Sequence, residues 1–309
     1  MENNRLNKKK SKKKWWILTP IIILLILLLS IVGYGFHLYN EVKSNVDDNM
    51  HEKVSGNVID TEKTKEKIEN KANLNILLLG IDSESSVSGR SDAIIVMTLK
   101  PNEDKIQLVS IPRDTRVTIA GRGAEDKINH AHAFGGPEMA IETVENFLDI
   151  DIDYFARVNM DGMAELVDLV GPITVNNELN FSQGGNTFPT GNITLTGDET
   201  MNFVRMRKED PRGDFGRTAR QRKVIEGIVR EGAKIENITR ISDLLGVLGN
   251  NVSTNMTFSD MTTLFQDYRQ TASNFEEYQM QGSGSMINNI YYHIVTEEEI
   301  NKVHDLIES

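Results

Sequence analysis

The sequence predicts an α/β protein: a single α/β/α sandwich with a central mixed sheet, preceded by one N-terminal transmembrane helix. Three observations carry that expectation. Residues 15–36 form one apolar run without a charged side chain, long enough for a bilayer. From Leu74 onward, short apolar runs alternate with amphipathic stretches, the pattern of strands interleaved with helices. Residues 288–307 then read as a late strand and helix, which puts the C-terminal end in the same sheet rather than in a second domain.

Composition narrows the class. The 309 residues carry Lys+Arg 34 against Asp+Glu 45, a net charge of −11, with 39% hydrophobic residues and no cysteine. Such a chain can bury a substantial core and is neither disordered nor a multi-span membrane protein. Without cysteine there is no disulfide scaffold, thiolate zinc site, iron–sulfur cluster or cysteine nucleophile. The acidic balance argues against nucleic acid as a partner.

Residues 1–14 form a basic tail, with Arg5, Lys8, Lys9, Lys10, Lys12, Lys13 and Lys14 against Glu2. Behind it, WWILTPIIILLILLLSIVGYGF would span about 33 Å as a helix, enough for a hydrocarbon core of ~30 Å. The positive flank places the N-terminus in the cytoplasm and everything beyond Phe36 outside, a single-pass type II arrangement at the cell membrane. The run exceeds the apolar region of a signal peptide and no A-x-A-like site follows, so it reads as an uncleaved signal anchor. Residues 37–72 read as an extracytoplasmic stalk, rich in Glu, Asp and Lys, in which TEKTKEKIENK is at most a solvated helix and the role is spacing. Residues 73–309 are the domain.

Within it, residues 75–81, 93–99, 105–111, 154–158, 173–175 and 288–295 read as strands. Residues 137–150, 161–170, 197–204, 217–233, 238–248, 259–271 and 297–307 read as helices, the last opened by a capping box of Thr296 and Glu299.

Charged residues stand at three places where strands end. The first is Asp82 after an apolar strand, followed by SESSVSG and by Arg90-Ser91-Asp92 at the start of the next strand. Ligands of open α/β sheets sit at such ends. Two carboxylates and an arginine suit a magnesium ion holding a phosphate; an Asp-capped surface turn is the plain alternative. The second is Pro112-Arg113-Asp114, where Arg113 projects from a strand end, or else forms a solvated turn with Asp114. The third is the strongest. Residues 205–223, RMRKEDPRGDFGRTARQRK, hold six arginines and two lysines against three acids, in a chain that is otherwise acidic. Arginine in that proportion favours bidentate phosphate recognition. Arg217, Gln221, Val224, Ile225 and Ile228 share one helical face, so Arg217 and Gln221 extend an apolar stripe, while Arg220, Arg222 and Lys223 are expected to face water.

Other candidates read as structural. His130-x-His132 lacks a third ligand at zinc spacing, and Gly135-Gly136-Pro137 is most simply a turn with proline at the first helical position, a phosphate-holding helix start being the alternative. Met139, Val144, Phe147, Leu166, Val170, Leu244 and Leu248 are core by default, and sequence does not separate core from a lipid tunnel.

NILLLGIDS, GRSDAIIVMTL, LVSIPRDTRV, KINHAHAFGG, VDLVGPITV and FVRMRKEDPRGDFGRTARQRKVI, in this order behind a membrane anchor, together resemble the LytR-CpsA-Psr family, specifically its Gram-positive teichoic-acid-type members. His130 and His132 stand where many members have other residues. The resemblance implies an extracellular Mg²⁺-dependent (or Mn²⁺-dependent) phosphotransferase. It would move an anionic glycopolymer, such as wall teichoic acid, from a polyprenyl pyrophosphate carrier to the C6 hydroxyl of N-acetylmuramic acid in peptidoglycan. By the family motif, Asp82 and Asp92 would hold the metal and count with Arg90 and Arg113 as the catalytic set. Arg205, Arg207, Arg217 and Gln221 would bind the pyrophosphate, with the lipid tail in an apolar pocket beneath. The resemblance also implies partners among paralogues and the cell-wall synthesis machinery. The general base stays open among Asp82, Asp92, Asp114 and none, if the metal activates the hydroxyl. A non-catalytic lipid-pyrophosphate receptor and a transcriptional attenuator are the competing readings, the latter opposed by a basic cluster expected outside the cell.

Overall fold

A computed structural model describes residues 43–44, 46–81, 89–234 and 251–309. The basic tail, the anchor, Asp82 with the rest of its loop, and the helix expected over 238–248 lie outside the described residues. Among the described residues no helix is long and apolar enough to cross a membrane.

Helix α1 (Thr61–Glu69) leads into a meander of β1 (Leu74–Ile81), β2 (Ser91–Lys100) and β3 (Lys105–Ser110). A hairpin, β4 (Arg116–Ile119) with β5 (Ala124–Lys127), precedes helix α2 (His130–Leu148), which returns the chain to β6 (Tyr154–Asn159), parallel to β1. Helix α3 (Met160–Val170) is followed by four short strands, β7 (Ile173–Asn177), β8 (Phe181–Gln183), β9 (Asn186–Phe188) and β10 (Gly191–Leu195), which form two small hairpin sheets. Helices α4 (Gly197–Arg205) and α5 (Asp214–Gly232) come next. The chain closes with β11 (Val252–Thr254), α6 (Phe258–Tyr268), β12 (Asn274–Gln279), a hairpin of β13 (Ser283–Ile287) and β14 (Ile290–Ile294), and α7 (Glu297–Glu308).

The main sheet runs β11-β6-β1-β2-β3-β12 and is mixed: β6/β1 and β3/β12 are parallel, the other pairs antiparallel. Alternation sends side chains to both faces. Leu77, Leu79, Val96 and Val109 pack under Ile141, Val144 and Leu148 of α2 and Val303 and Ile307 of α7. Ile76, Ile95, Met97 and Leu108 face Ile225 and Val229 of α5 and Leu264 and Tyr268 of α6. Each such aliphatic side chain stabilises the fold by roughly 1.5–3 kcal/mol relative to exposure. A separate cluster of Phe181, Phe188 and Phe203 with Val167, Ile173 and Val224 holds α3, α4 and the small strands to α5.

The C-terminal strand differs from the expectation. The apolar run over 288–295 does not join the main sheet: Asn288 and Asn289 both take positive φ, 51° and 64°, and turn the chain into the β13–β14 hairpin. The strand that extends the sheet is β12, NFEEYQ, parallel to β3. Helix starts shift as well. α5 begins at Asp214, and α2 begins at His130, with Gly135 and Gly136 non-helical (Gly136 φ 66°) and Pro137 opening its second part. At the last helix, Thr296 Oγ1 accepts from Glu299 N at 3.3 Å, but the Glu299 carboxylate takes Tyr278 Oη and Gln281 N instead of reciprocating.

Part of the segment read as a spacer is packed. Val46 and Met50 are buried with Leu169, Val252 and Phe258, and Ile59 joins the α2 face. Glu52 Oε2 accepts from Arg157 Nη2 at 2.8 Å, and Lys67 Nζ lies 2.9 Å from the buried Asp153 carboxylate.

Candidate active site

Asp92 owes its position to a break in register. Gly80 pairs with Ala93, but Ile81 pairs with Ser91, so Asp92 is the extra residue of a β-bulge. A bulge lets neighbouring residues point the same way. Asp92 and Ala93 accordingly line one cavity, of about 290 Å³, at the C-terminal end of β1. Gly80 makes room there, since a Cβ would stand 2.9 Å from that of Ala93.

Arg113 arrives from the end of β3, beyond Pro112, whose carbonyl accepts from Thr115 N at 2.9 Å and Thr115 Oγ1 at 2.6 Å in a tight turn. Its Nη1 donates to Asp92 Oδ1 at 2.8 Å. Its Nε stands 3.8 Å from Asp214 Oδ2 and 4.0 Å from Asp114 Oδ2, buried and without a hydrogen-bond acceptor. Burial works against the Arg113 charge, but the hydrogen bond and charge of Asp92, with Asp214 and Asp114 behind, outweigh it and hold its pKa above the ordinary value. Asp114 itself is held by Lys127 Nζ at 2.7 Å.

Arg217 lies in the first turn of α5. Its Nη1 is 4.0 Å from Asp92 Oδ2 and its Nη2 pairs with Asp214 Oδ1 at 2.7 Å, while Nε has no partner in a side chain only 14% exposed. One turn on, Gln221 is buried with Oε1 also unpartnered. Buried donors without acceptors are costly; Arg217 Nε is one on the cavity wall, which Arg205 also lines, and Arg113 Nε is another beside Asp92, so guanidinium groups edge a place for an anion.

Behind the polar cavity lies a second one, of about 280 Å³, walled almost entirely by carbon and sulfur: Leu78, Ile95, Met97, Ala156, Met163 and Ile225 among others, with Met50 of the packed N-terminal segment. The two cavities share Gly80, Ala93, Val158, Met163 and Gln221. Gln221 therefore stands where a charged compartment meets a greasy one.

The structure thus gathers Asp92, Arg113, Arg217 and Gln221, with Arg205 at the polar rim. Arg90 and Arg207 are exposed and line neither cavity. Asp82 follows β1 directly but lies outside the described residues. Asp214, which the sequence reading counted only among the acids of the basic stretch, is a full member; its spacing three residues before Arg217 in a first helical turn was the available signal.

The expectation that Arg220, Arg222 and Lys223 face water is wrong. Arg220 is buried, donates from Nη1 to Asp210 Oδ2 at 2.6 Å and from Nη2 to Met206 O, and lies over the Phe181 ring. Arg222 is buried against Glu277, Ser110 and Gln279, each at 2.8 Å. Lys223 reaches Asn176 O and Glu178, both at 2.7 Å. Helix α5 is packed by the small strands on one side and the main sheet on the other, so it has little free face.

The two histidines have structural partners. His132 is buried, its Nδ1 2.9 Å from Gly89 O, and burial lowers its pKa; His130 Nδ1 sits 2.8 Å from Asp126. Among the described residues no group of three or more His, Asp or Glu side chains is arranged to hold a metal by itself. Mg²⁺ is commonly held by one or two carboxylates plus substrate phosphates; Asp92 lines a cavity that Arg205 and Arg217 also line, while Asp82, the other expected ligand, lies outside the described residues.

Comparison with known proteins gives a consistent picture. The model of the LytR_cpsA_psr family matches residues 33–308. The chain is 44% identical over 284 residues to the polyisoprenyl-teichoic acid–peptidoglycan teichoic acid transferase TagU of Halalkalibacterium halodurans, covering 91% of this chain and 93% of that protein. It is 43% identical over 274 residues to TagU of Bacillus subtilis, 88% of each. The crystal structure of B. subtilis TagU matches with a TM-score of 0.63 at 41% identity, over 77% of this chain and 97% of that one. A structure of TagT bound to LIIa-WTA matches with a TM-score of 0.67 at 29% identity, over 76% and 89% of the two chains.

Proposed function

Because the chain belongs to the LytR-CpsA-Psr family, we propose that it transfers an anionic glycopolymer, wall teichoic acid by the names of its relatives, from a polyprenyl pyrophosphate carrier to the C6 hydroxyl of N-acetylmuramic acid in peptidoglycan. The observation that carries the reading is the pair of joined cavities. One is edged by the guanidinium groups of Arg205 and Arg217, the other is an apolar enclosure, and a lipid pyrophosphate has that same division between head and tail.

In this reading Arg113 and Arg217 hold the pyrophosphate and neutralise charge as the bond to the carrier breaks. Asp92, which lines the cavity, fixes Arg113 beside it through its Oδ1. Gln221 marks where the head ends and the tail begins. The acceptor oxygen forms a bond to the sugar-side phosphorus, the bond to polyprenyl phosphate breaks, and the hydroxyl proton is released. Asp82 and Asp92 would hold Mg²⁺, which when bound supplies further charge neutralisation at the phosphates. The basic tail and the run over 15–36 support a single-pass anchor with the domain outside the cell membrane.

The test uses the full-length protein in detergent with a polyprenyl-pyrophosphate-linked glycopolymer and peptidoglycan as acceptor. We expect labelled peptidoglycan and free polyprenyl phosphate in equal amounts. Donor binding without transfer would instead make the protein a receptor.

A further inference from the structure

Next to the arginines the surface carries a strip of rings that the transfer chemistry leaves unused. Phe215 lies between Asp214 and Arg217 and is 40% exposed. Its ring meets that of His293 edge-on, 6.0 Å between centroids. His293 and Tyr291 share a face of β14 and pair across the hairpin with Gly284 and Met286. Tyr291 and Met286 are 46% and 64% exposed.

Two glycines keep this strip flat. A Cβ on Gly284 would stand 2.8 Å from Tyr291 Cε2, and one on Gly282 would stand 2.5 Å from His293 Nε2. The Tyr291 ring therefore lies down over the Gly284 backbone and shows a broad face to solvent. The strip starts at the reaction site, because His293 N donates to the carbonyl of Asp114, the neighbour of Arg113, at 2.8 Å.

The occupant follows from what the surroundings refuse. The hairpin, residues 283–294, has no lysine or arginine, and Glu276, Glu277, Glu297, Glu298 and Glu299 flank it in sequence. The cations packed on the hairpin, Arg116 and Lys127, lie over Tyr292 on the opposite face of β14, so the strip itself offers no basic side chain to hold an anionic bilayer surface or a polyanionic donor chain. The donor's tail has its own cavity, reached past Gln221. Flat rings continuous with a phosphate site suit the uncharged faces of pyranose rings, with the tyrosine hydroxyl left free to hydrogen-bond.

We propose that Phe215, Tyr291 and Met286 form the docking surface for the acceptor glycan, a β-1,4-linked N-acetylhexosamine strand, and lead its hydroxyl to the arginines. The inference rests on the transferase reading above.

The experiment compares full-length wild type with Tyr291→Ser and Met286→Ser, both at exposed positions and checked for an unchanged Tm. It measures affinity for a β-1,4-linked N-acetylglucosamine hexamer and the KM values for acceptor and lipid donor. Loss of one stacked side chain should weaken hexamer binding and raise acceptor KM by about fivefold, with donor KM and kcat unchanged. Unchanged acceptor KM and hexamer affinity in both variants would overturn the proposal, and so would a rise confined to donor KM, which would assign the strip to lipid. Absence of transfer in the wild type would defeat the transferase reading separately, while hexamer binding that depends on Tyr291 would still uphold the strip.

Discussion

Arg220 Nη1 stands 2.6 Å from Asp210 Oδ2 with both side chains out of solvent, and this pair fastens the loop between α4 and α5 to the helix that carries Arg217. Asp210 also accepts from Arg212 N at 2.9 Å, and Gly216 leaves the space its carboxylate occupies. Burial alone would raise the Asp210 pKa, but Arg212 and Arg220 together pull it down to about 2. Asp210→Ala should cost about 3–5 kcal/mol by stranding a buried guanidinium, measured by denaturant unfolding. The double change Asp210→Leu, Arg220→Met should cost less than Asp210→Ala. In the wild type this contribution is present above the ordinary carboxylate range and fades as pH falls toward 2.

Two arginines five residues apart should separate cleanly. Arg217→Ala should weaken lipid pyrophosphate binding about tenfold or more, the worth of a charge-assisted bond, and leave Tm unchanged. Arg222→Ala should lower stability by roughly 1.5–3 kcal/mol, because it removes hydrogen bonds to Glu277, Ser110 and Gln279. Calorimetric binding and thermal unfolding on the same preparations check both.

Filling the apolar cavity should act on the tail alone. Ala156→Phe projects a ring into that space, so polyprenyl pyrophosphate should bind at least about tenfold more weakly while inorganic pyrophosphate binds as before. Parallel losses for both ligands would mean that the cavities are not separate compartments.

The carboxylates should matter more for transfer than for binding, since charge builds up during the reaction. Asp82→Ala should retain lipid pyrophosphate and label no peptidoglycan, and Asp92→Ala should also label none while binding the lipid more weakly, because it frees Arg113. Chelation should reproduce this in the wild type, with Mg²⁺ or Mn²⁺ restoring activity there but not in the variants. Full labelling by the double variant would take the metal out of the mechanism.

Glu145 gives the fold a dependence on pH. Burial raises its carboxyl to about 7, although Ile152 N donates to it at 2.9 Å. The folded protein then keeps a proton that the unfolded chain releases at about 4.3, so stability from this group falls as pH rises between those values and is level above. Glu145→Gln keeps the acceptor and loses the charge. The Tm difference between variant and wild type should therefore grow from roughly pH 4.5 to 7 and then stay constant.

What could be read from the residues follows from how each element is buried. Strands β1 and β2 are covered on both faces, and their near-continuous apolar runs announce them. Strand β12 pairs on one side only and leaves Glu276 and Glu277 outward, so NFEEYQ carries no such mark. The Asn288-Asn289 turn was written in the sequence but hidden inside an apolar run. The arginine stretch pointed to phosphate, and Arg217 and Gln221 do lie on the cavity side with Ile225 and Ile228. Arg220 and Arg222 were misjudged because a helical wheel assumes one wet face, and α5 is enclosed from two directions. The bulge that turns Asp92 inward depends on how two strands are matched, which no local pattern encodes.

The packed segment ahead of β1 decides where the molecule can be cut. A soluble fragment begun at residue 73 would lack Met50, so the apolar cavity would stand open along one wall. It would also lack Glu52 and Lys67, the opposite charges of Arg157 and Asp153, which the intact chain buries to 6% and 2% exposure. To the extent that these charges stay buried, losing a partner costs about 3–5 kcal/mol each, comparable to the whole margin by which many domains stay folded. The smallest autonomous unit therefore starts near Val46, and the segment ahead of β1 and the binding chamber are one piece of structure.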